Sequence, residues 1–259
     1  MILTLHVENT LISIGGYKEG RLGFAVRMKT DVGLTEDQYA AAMAQLIAPH
    51  GLTGGKGEGG IVSSVVPELT ERLRSALSRF CTGKVYVVSP GLKTGLNIRS
   101  QNPAMFGSDI VCGCAAAVKR YPSPCVVADI GTAVSFSALD ENGSLIGKAL
   151  FPGPEIALQA LSDKAALLPR VGLGEPGELI AAGTTDAMRS GLVYGYASMI
   201  DGMFRRFRAR LGGSPTLVAT GALAGLLVPH CEEDIQLDEH LVLDGLYQIY
   251  CKNAPPVRD

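Results

Sequence analysis

Asp129-Ile-Gly-Thr132 places a carboxylate, a glycine and a hydroxyl within four residues. A phosphate site uses these parts: backbone N–H groups left open by glycine, an O–H donor, and an acid that positions a cation. The same four residues also make an ordinary hairpin turn, and the pattern alone does not decide. A matching turn, His6-Val-Glu-Asn-Thr10, lies about half a chain earlier, and its recurrence favours phosphate chemistry. A third candidate is Asp109 of Phe106-Gly-Ser-Asp109, an acid at a predicted helix start. It reads either as an N-cap or as a general base at the edge of a cleft.

Other motifs carry less. Gly55-Lys-Gly-Glu-Gly-Gly60 has the spacing of a dinucleotide loop but precedes a strand, so a surface loop is expected. Cys112 and Cys114 have no second Cys/His pair at zinc-site spacing and read as buried thiols. His230, Cys231 and His240 read as surface or packing residues. The Arg205-Arg-Phe-Arg-Ala-Arg210 cluster reads as the last turns of a long helix, where cations complement the dipole.

The elements that must position these groups follow from period and punctuation. Apolar, β-rich runs predict strands at Ile2–Val7, Leu11–Ile14 and Leu22–Met28, with turns at Asn9-Thr10 and Gly15-Gly16. Thr35-Glu-Asp-Gln38 is a capping box that opens a helix to about Ala48. Strands are expected at 61–66 and 84–88, around a helix opened by Pro67 whose Leu69, Leu73, Leu77 and Phe80 share one face. A helix follows over 109–121. The second half repeats the order, with strands at 125–129, 133–139 and 145–151 and a helix near 155–167. A long helix should run from a Thr184/Thr185 cap to Leu211, before a strand at 215–220 and a closing helix over 238–251. Two duplicated βββαβα lobes facing each other across a cleft explain this repeat.

Composition bounds the partners. The 259 residues include 32 glycines, where an average chain of this length holds about 18. With 47% hydrophobic and 19% charged residues, the chain is neither disordered nor collagen-like. A net charge of −2 without a basic block gives no reason to expect a nucleic-acid partner. No apolar run approaches the length of a membrane span, and MILTLHVENTL lacks the features of a signal peptide. Six sparse cysteines without a CxxC point to a reduced, cytoplasmic chain.

Taken in order, the motifs resemble those of the type III pantothenate kinases, in the actin/hexokinase/Hsp70-like superfamily, along nearly the whole chain. The family's D-x-G-N-T stands here as His6-Val-Glu8-Asn9-Thr10, and its S-S-V-V-P as Ser63–Pro67. P-G-x-K-T-G is Pro90–Gly95, and N-P-x-x-x-G-A-D-R is Asn102–Ile110. D-F-G-T-A is Asp129–Ala133; P-G and L-P-R-V are Pro152-Gly153 and Leu168–Val171. N-T-x-x-A-M-x-x-G is Gly183–Gly191, and T-G-G is Thr220–Ala222.

The resemblance implies an α/β fold of two duplicated ribonuclease-H-like (actin-like ATPase) lobes with a cleft between them, over 1–117 and 118–259. It implies transfer of the γ-phosphoryl of ATP to pantothenate, the first committed step towards coenzyme A, with Mg²⁺ and K⁺ or NH₄⁺. Asp109 would take the hydroxyl proton. Asn9, Thr10, Gly131 and Thr132 would meet ATP phosphates, and Thr220 and Gly221 the adenosine end. Gly107, Ser108, Asp109 and Thr184 would line the pantothenate pocket, and Asp129 would help hold the monovalent cation. Family members are dimers; here Met188, Leu192, Gly195, Met199 and Met203 fall on one face of the long helix, which serves either that contact or the lobe's own core.

Several positions depart from the pattern. His6 and Glu8 replace the aspartate and glycine of the first turn, and Ile110 replaces the arginine after Asp109. Ser100, Lys148 and Ala222 replace a tyrosine and two glycines. On sequence alone three readings stay open: an active, divergent kinase, as a homodimer; an impaired subunit that pairs with an intact homologue as a heterodimer; and a regulatory binding protein on the same fold, or a kinase for another small acid.

Overall fold

The computed structural model describes residues 1–52 and 57–255. In chain order its elements begin β1 (Ile2–Val7), β2 (Leu11–Lys18), β3 (Arg21–Lys29), α1 (Glu36–Ile47), β4 (Gly59–Ser64), α2 (Pro67–Ser78), β5 (Val85–Val87) and α3 (Ser108–Arg120). They continue with β6 (Cys125–Ile130), β7 (Ala133–Leu139), β8 (Leu145–Pro152), α4 (Pro154–Lys164), α5 (Thr184–Leu211), β9 (Thr216–Thr220), α6 (Ala224–Leu227), β10 (Gln236–Leu237) and α7 (Leu241–Asn253). Residues 53–56 of the glycine-rich stretch lie outside the described residues, while its Gly59 and Gly60 already belong to β4.

The chain divides into two compact units. One comprises Met1–Leu96, Asn102–Lys119 and His240–Asp259, the other Asn97–Gln101 and Arg120–Glu239. Their sheets repeat one plan. In the order β3-β2-β1-β4-β5, β1 runs antiparallel to β2 and parallel to β4. In the order β10-β9-β6-β7-β8, β6 runs antiparallel to β7 and parallel to β9. The strands leading into the two candidate turns therefore hold equivalent places, as the sequence repeat predicts.

Alternation along β1 sorts its side chains between two helix layers. Leu3, Leu5 and Val7 pack with Tyr39 and Met43 of α1 and Leu69 and Leu73 of α2. Ile2 faces the other way, with Ile61 of β4, Cys112 of α3 and Leu246 of α7. His6, four residues after Ile2, points to that α3 side. The α1 layer forms as predicted: Thr35 and Gln38 complete the capping box. In the second unit, Val126, Ala128 and Ile130 of β6 meet Val193, Ile200 and Phe204 of α5. Asp129 thus points away from α5.

Two expectations change. A 118–259 lobe would contain the closing helix, yet α7 packs in the first unit, where Leu243, Leu246 and Ile249 complete the layer beside α3. Gly245 lets the helices touch, since a Cβ there would sit 1.9 Å from the Cys112 carbonyl oxygen. Gly15-Gly16 is not a turn: β2 runs through it, and the chain reverses at Glu19-Gly20, both with positive φ. The two glycines make room instead, because a Cβ at 15 would meet Thr4 Oγ1 at 2.6 Å and one at 16 the Phe24 ring at 2.1 Å.

Candidate active site

The first turn joins β1 to β2. Val7 pairs Ile12, so residues 8–11 form the loop. The Glu8 N–H donates to the Leu11 carbonyl at 2.9 Å, and the Glu8 carbonyl accepts from Thr30 Oγ1 at 2.7 Å. Asn9 and Thr10 lie exposed at its tip. His6 is buried beneath, with Nε2 3.9 Å from Glu8 Oε1 and Nδ1 without a hydrogen-bond partner.

His6 lies opposite Ser63 of β4, and Ser63 leads to the start of α3. Ser63 Oγ donates to Ser108 Oγ at 2.8 Å, and Ser108 Oγ donates to the Ser64 carbonyl at 3.2 Å. These two bonds fix the first turn of α3 on the end of β4. Asp109 is the second residue of that helix and not its cap; the Val111 N–H bonds back to the Gly107 carbonyl. Asp109 Oδ1 folds over Gly107, where a Cβ would come within 2.2 Å of it. That oxygen is buried and has no hydrogen-bond partner. A buried acceptor left open costs free energy unless a ligand completes it, and a carboxylate oxygen can receive a hydroxyl proton. Cys112 lies on the same helix; burial first and the Asp109 charge second push its thiol well above the ordinary range. It stays a neutral packing group, as expected of this buried pair.

The second turn joins β6 to β7. Ile130 pairs Val134, so its loop is one residue shorter. The Gly131 N–H donates to the Ala133 carbonyl at 3.0 Å, and the Gly153 N–H donates to the Thr132 carbonyl at 3.0 Å. Two glycines press against it. A Cβ at Gly153 would sit 2.2 Å from the Gly131 oxygen, and one at Gly221 2.4 Å from Asp129 Oδ1. Gly221 also holds φ +98°, which a side chain rarely adopts. Asp129 pairs Thr220 across β9, so Asp129, Gly131, Thr132, Thr220 and Gly221 gather in one place.

Thr184 stands apart from that cluster. It is the first residue of α5, behind an N-cap at Gly183 that makes no side-chain bond, so the expected threonine cap does not form. It lines an apolar groove with Phe151, Leu161, Met188, Leu192 and Met199. Leu192, Met199 and Met203 pack partly against the core of their own unit, while Gly191 and Gly195 are exposed. Among the departures, Ile110 is buried, so position 110 offers no polar contact. Sequence reasoning missed Thr30 and gave Ser63 and Gly153 only as motif positions; Thr30 and Gly153 hold the turns and Ser63 holds the start of α3.

Metal-binding capacity is sparse. Among the described residues no three His, Cys, Asp or Glu side chains gather as a metal cluster. A cation carried by nucleotide phosphates needs only one or two protein carboxylates, and Glu8 and Asp129 stand at the two turns. No helix among the described residues is long and apolar enough to cross a membrane.

Comparison with solved structures gives the class. Ethanolamine utilization protein EutJ from Carboxydothermus hydrogenoformans superposes with a TM-score of 0.56 at 11% identity, covering 95% of this chain and 88% of that one. An activator of 2-hydroxyisocaproyl-CoA dehydratase from Clostridium difficile gives 0.52 at 11% identity, over 97% and 94%. Such likeness carries the fold alone: a duplicated α/β fold with two five-stranded sheets. The sequence goes further. A sequence model of the type III pantothenate kinases matches residues 2–206. The type III pantothenate kinase of Bacillus cytotoxicus is 37% identical over 254 residues, 98% of this chain and 97% of that protein. The chain belongs to the type III pantothenate kinase family.

Proposed function

We propose that this protein phosphorylates pantothenate with ATP and so feeds coenzyme A synthesis. The observation that carries the reading is the inward oxygen of Asp109, open and held at the start of α3 by the Ser63–Ser108 bond. The substrate hydroxyl oxygen attacks the γ-phosphorus, the bond to the β–γ bridging oxygen breaks, and ADP leaves. The hydroxyl proton passes to Asp109. Transfer of this kind depends on positioning and charge stabilisation more than on covalent help from the protein.

Asn9, Thr10, Gly131 and Thr132 donate to phosphates, while Thr220 and Gly221 border the adenosine. Gly107, Ser108 and Thr184 line the pantothenate pocket. Mg²⁺ neutralises phosphate charge when bound, and Asp129 helps hold K⁺ or NH₄⁺. The exposed glycines of α5 and the half-buried Leu192 and Met199 support a dimer through that helix, in the cytoplasm. The enzyme reading is preferred to the impaired-subunit and regulatory alternatives because the family match and the near-full-length relative both bear the kinase's name.

The test is product analysis by mass spectrometry after incubation with ATP, Mg²⁺, K⁺ and pantothenate. Phosphopantothenate should form one-for-one with ADP. Asp109→Asn should lower kcat by about 10²-fold or more and leave MgATP affinity within about threefold. Full turnover by Asp109→Asn would remove Asp109 from the reaction.

A further inference from the structure

We propose that Glu8 is the cation-facing carboxylate of the first turn, replacing the aspartate that the family pattern places at position 6, with His6 as its packed support. This inference rests on the kinase reading above. The family pattern has one acid in this segment, D-x-G; this chain also has one, in H-x-E. The carboxylate has moved two residues along and has not been lost.

Three features of the structure support the move. The His6 side chain is only 6% exposed, and an imidazole offers a hard, oxygen-seeking cation no carboxylate oxygen. Position 6 therefore no longer supplies the ligand. Glu8, in contrast, has its side chain turned inward: it is 18% exposed, although the next two residues of the turn are exposed. A charge that merely filled space there would gain by turning out to water. Its Oε1 instead lies 3.9 Å from His6 Nε2, in front of the residue it replaces. At that distance the imidazole is a neighbour and not a hydrogen-bond donor, so the carboxylate keeps its lone pairs for a ligand.

The backbone explains how the turn tolerates the exchange. Glu8 is held on both sides, by its N–H to Leu11 and by Thr30 Oγ1 to its carbonyl, so the side chain swings from a fixed Cα. The loop is also one residue longer than its counterpart at 131–133. A glutamate at the equivalent Gly131 would have no such room, because Gly131 is buried with its carbonyl oxygen against Gly153.

The experiment is calorimetric titration of MgATP, and of ATP in EDTA, into wild type, Glu8→Gln, Glu8→Gly and the double variant His6→Asp/Glu8→Gly, with thermal unfolding of each. Glu8→Gln and Glu8→Gly should weaken MgATP binding by about tenfold or more, as loss of a metal-orienting group commonly does, without weakening metal-free ATP. The double variant, with its acid back at residue 6, should recover most of the MgATP affinity. Glu8→Gln or Glu8→Gly binding MgATP as well as wild type or better would overturn the inference and make Glu8 a repulsive charge. Equal loss for MgATP and metal-free ATP would also overturn it. If wild type binds neither form, the kinase reading itself fails and this inference falls with it.

Discussion

The two hairpin turns share one hydrogen-bond frame and differ in what fills it. At the end of each leading strand, His6 or Asp129 faces a serine on the antiparallel neighbour, Ser13 or Ser135. Each also faces a hydroxyl on the parallel neighbour, Ser63 or Thr220. In each, the residue after the third strand donates its N–H to the turn threonine's carbonyl at 3.0 Å, Thr30 to Thr10 and Gly153 to Thr132. The second turn closes by backbone on backbone, which only glycine at 153 and 221 permits. The first adds to its backbone bonds one hydroxyl tie, from Thr30 Oγ1 to the Glu8 carbonyl. Without the glycine contacts that press on the second turn, the first has room for an altered motif. The departures at His6 and Glu8 therefore leave the first turn's geometry intact.

The comparison can be broken most directly at the second turn. Gly153→Ala and Gly221→Ala should each destabilise the protein by about 1–3 kcal/mol, since neighbouring backbone must shift. Thr30→Ala, at the position equivalent to Gly153, should cost about 1 kcal/mol for one hydroxyl–carbonyl bond. Urea denaturation checks both, and a Thr30→Ala loss as large as that of the glycine variants would end the contrast. Next, Ser63→Ala removes the bond that fixes the start of α3. It should cost about 1 kcal/mol, with a fall in kcat and little change in MgATP affinity, because Asp109 and not the turn is displaced. Loss of MgATP affinity with unchanged kcat would contradict that placement.

A further expected effect appears only at alkaline pH. Burial pushes the Cys125 thiol of β6 up to about 12 and the Cys81 thiol of the first unit up to about 11. Both thiols ionise more readily unfolded, near the ordinary thiol value of about 8.5. Their contribution is complete below that pH and is lost as pH rises towards the folded values. The urea midpoint should therefore decline through this window, and less steeply in Cys125→Ala. An unchanged slope in that variant would mean that Cys125 is not the titrating group.

Much of the fold was legible because it is written in local period: β1, the α1 capping box, the α2 face and the second strand triplet all appear where alternation and punctuation place them. The destination of α7 was not, since an amphipathic closing helix does not encode which sheet it will cover. Gly15-Gly16 misled for a related reason: a glycine pair reads as a turn, and only the Thr4 and Phe24 side chains across the sheet explain it as relief of crowding. At the site, the reacting groups stood out by type, whereas Ser63 and Thr30 act through single hydrogen bonds that no spacing announces.

Whether the chain is a kinase in its own right is decided by ADP release from the purified chain alone, measured with and without pantothenate at saturating MgATP and K⁺. Release should depend on pantothenate and need no second protein. Release seen only after an intact family member is added would contradict it and make this chain the supporting half of a heterodimer.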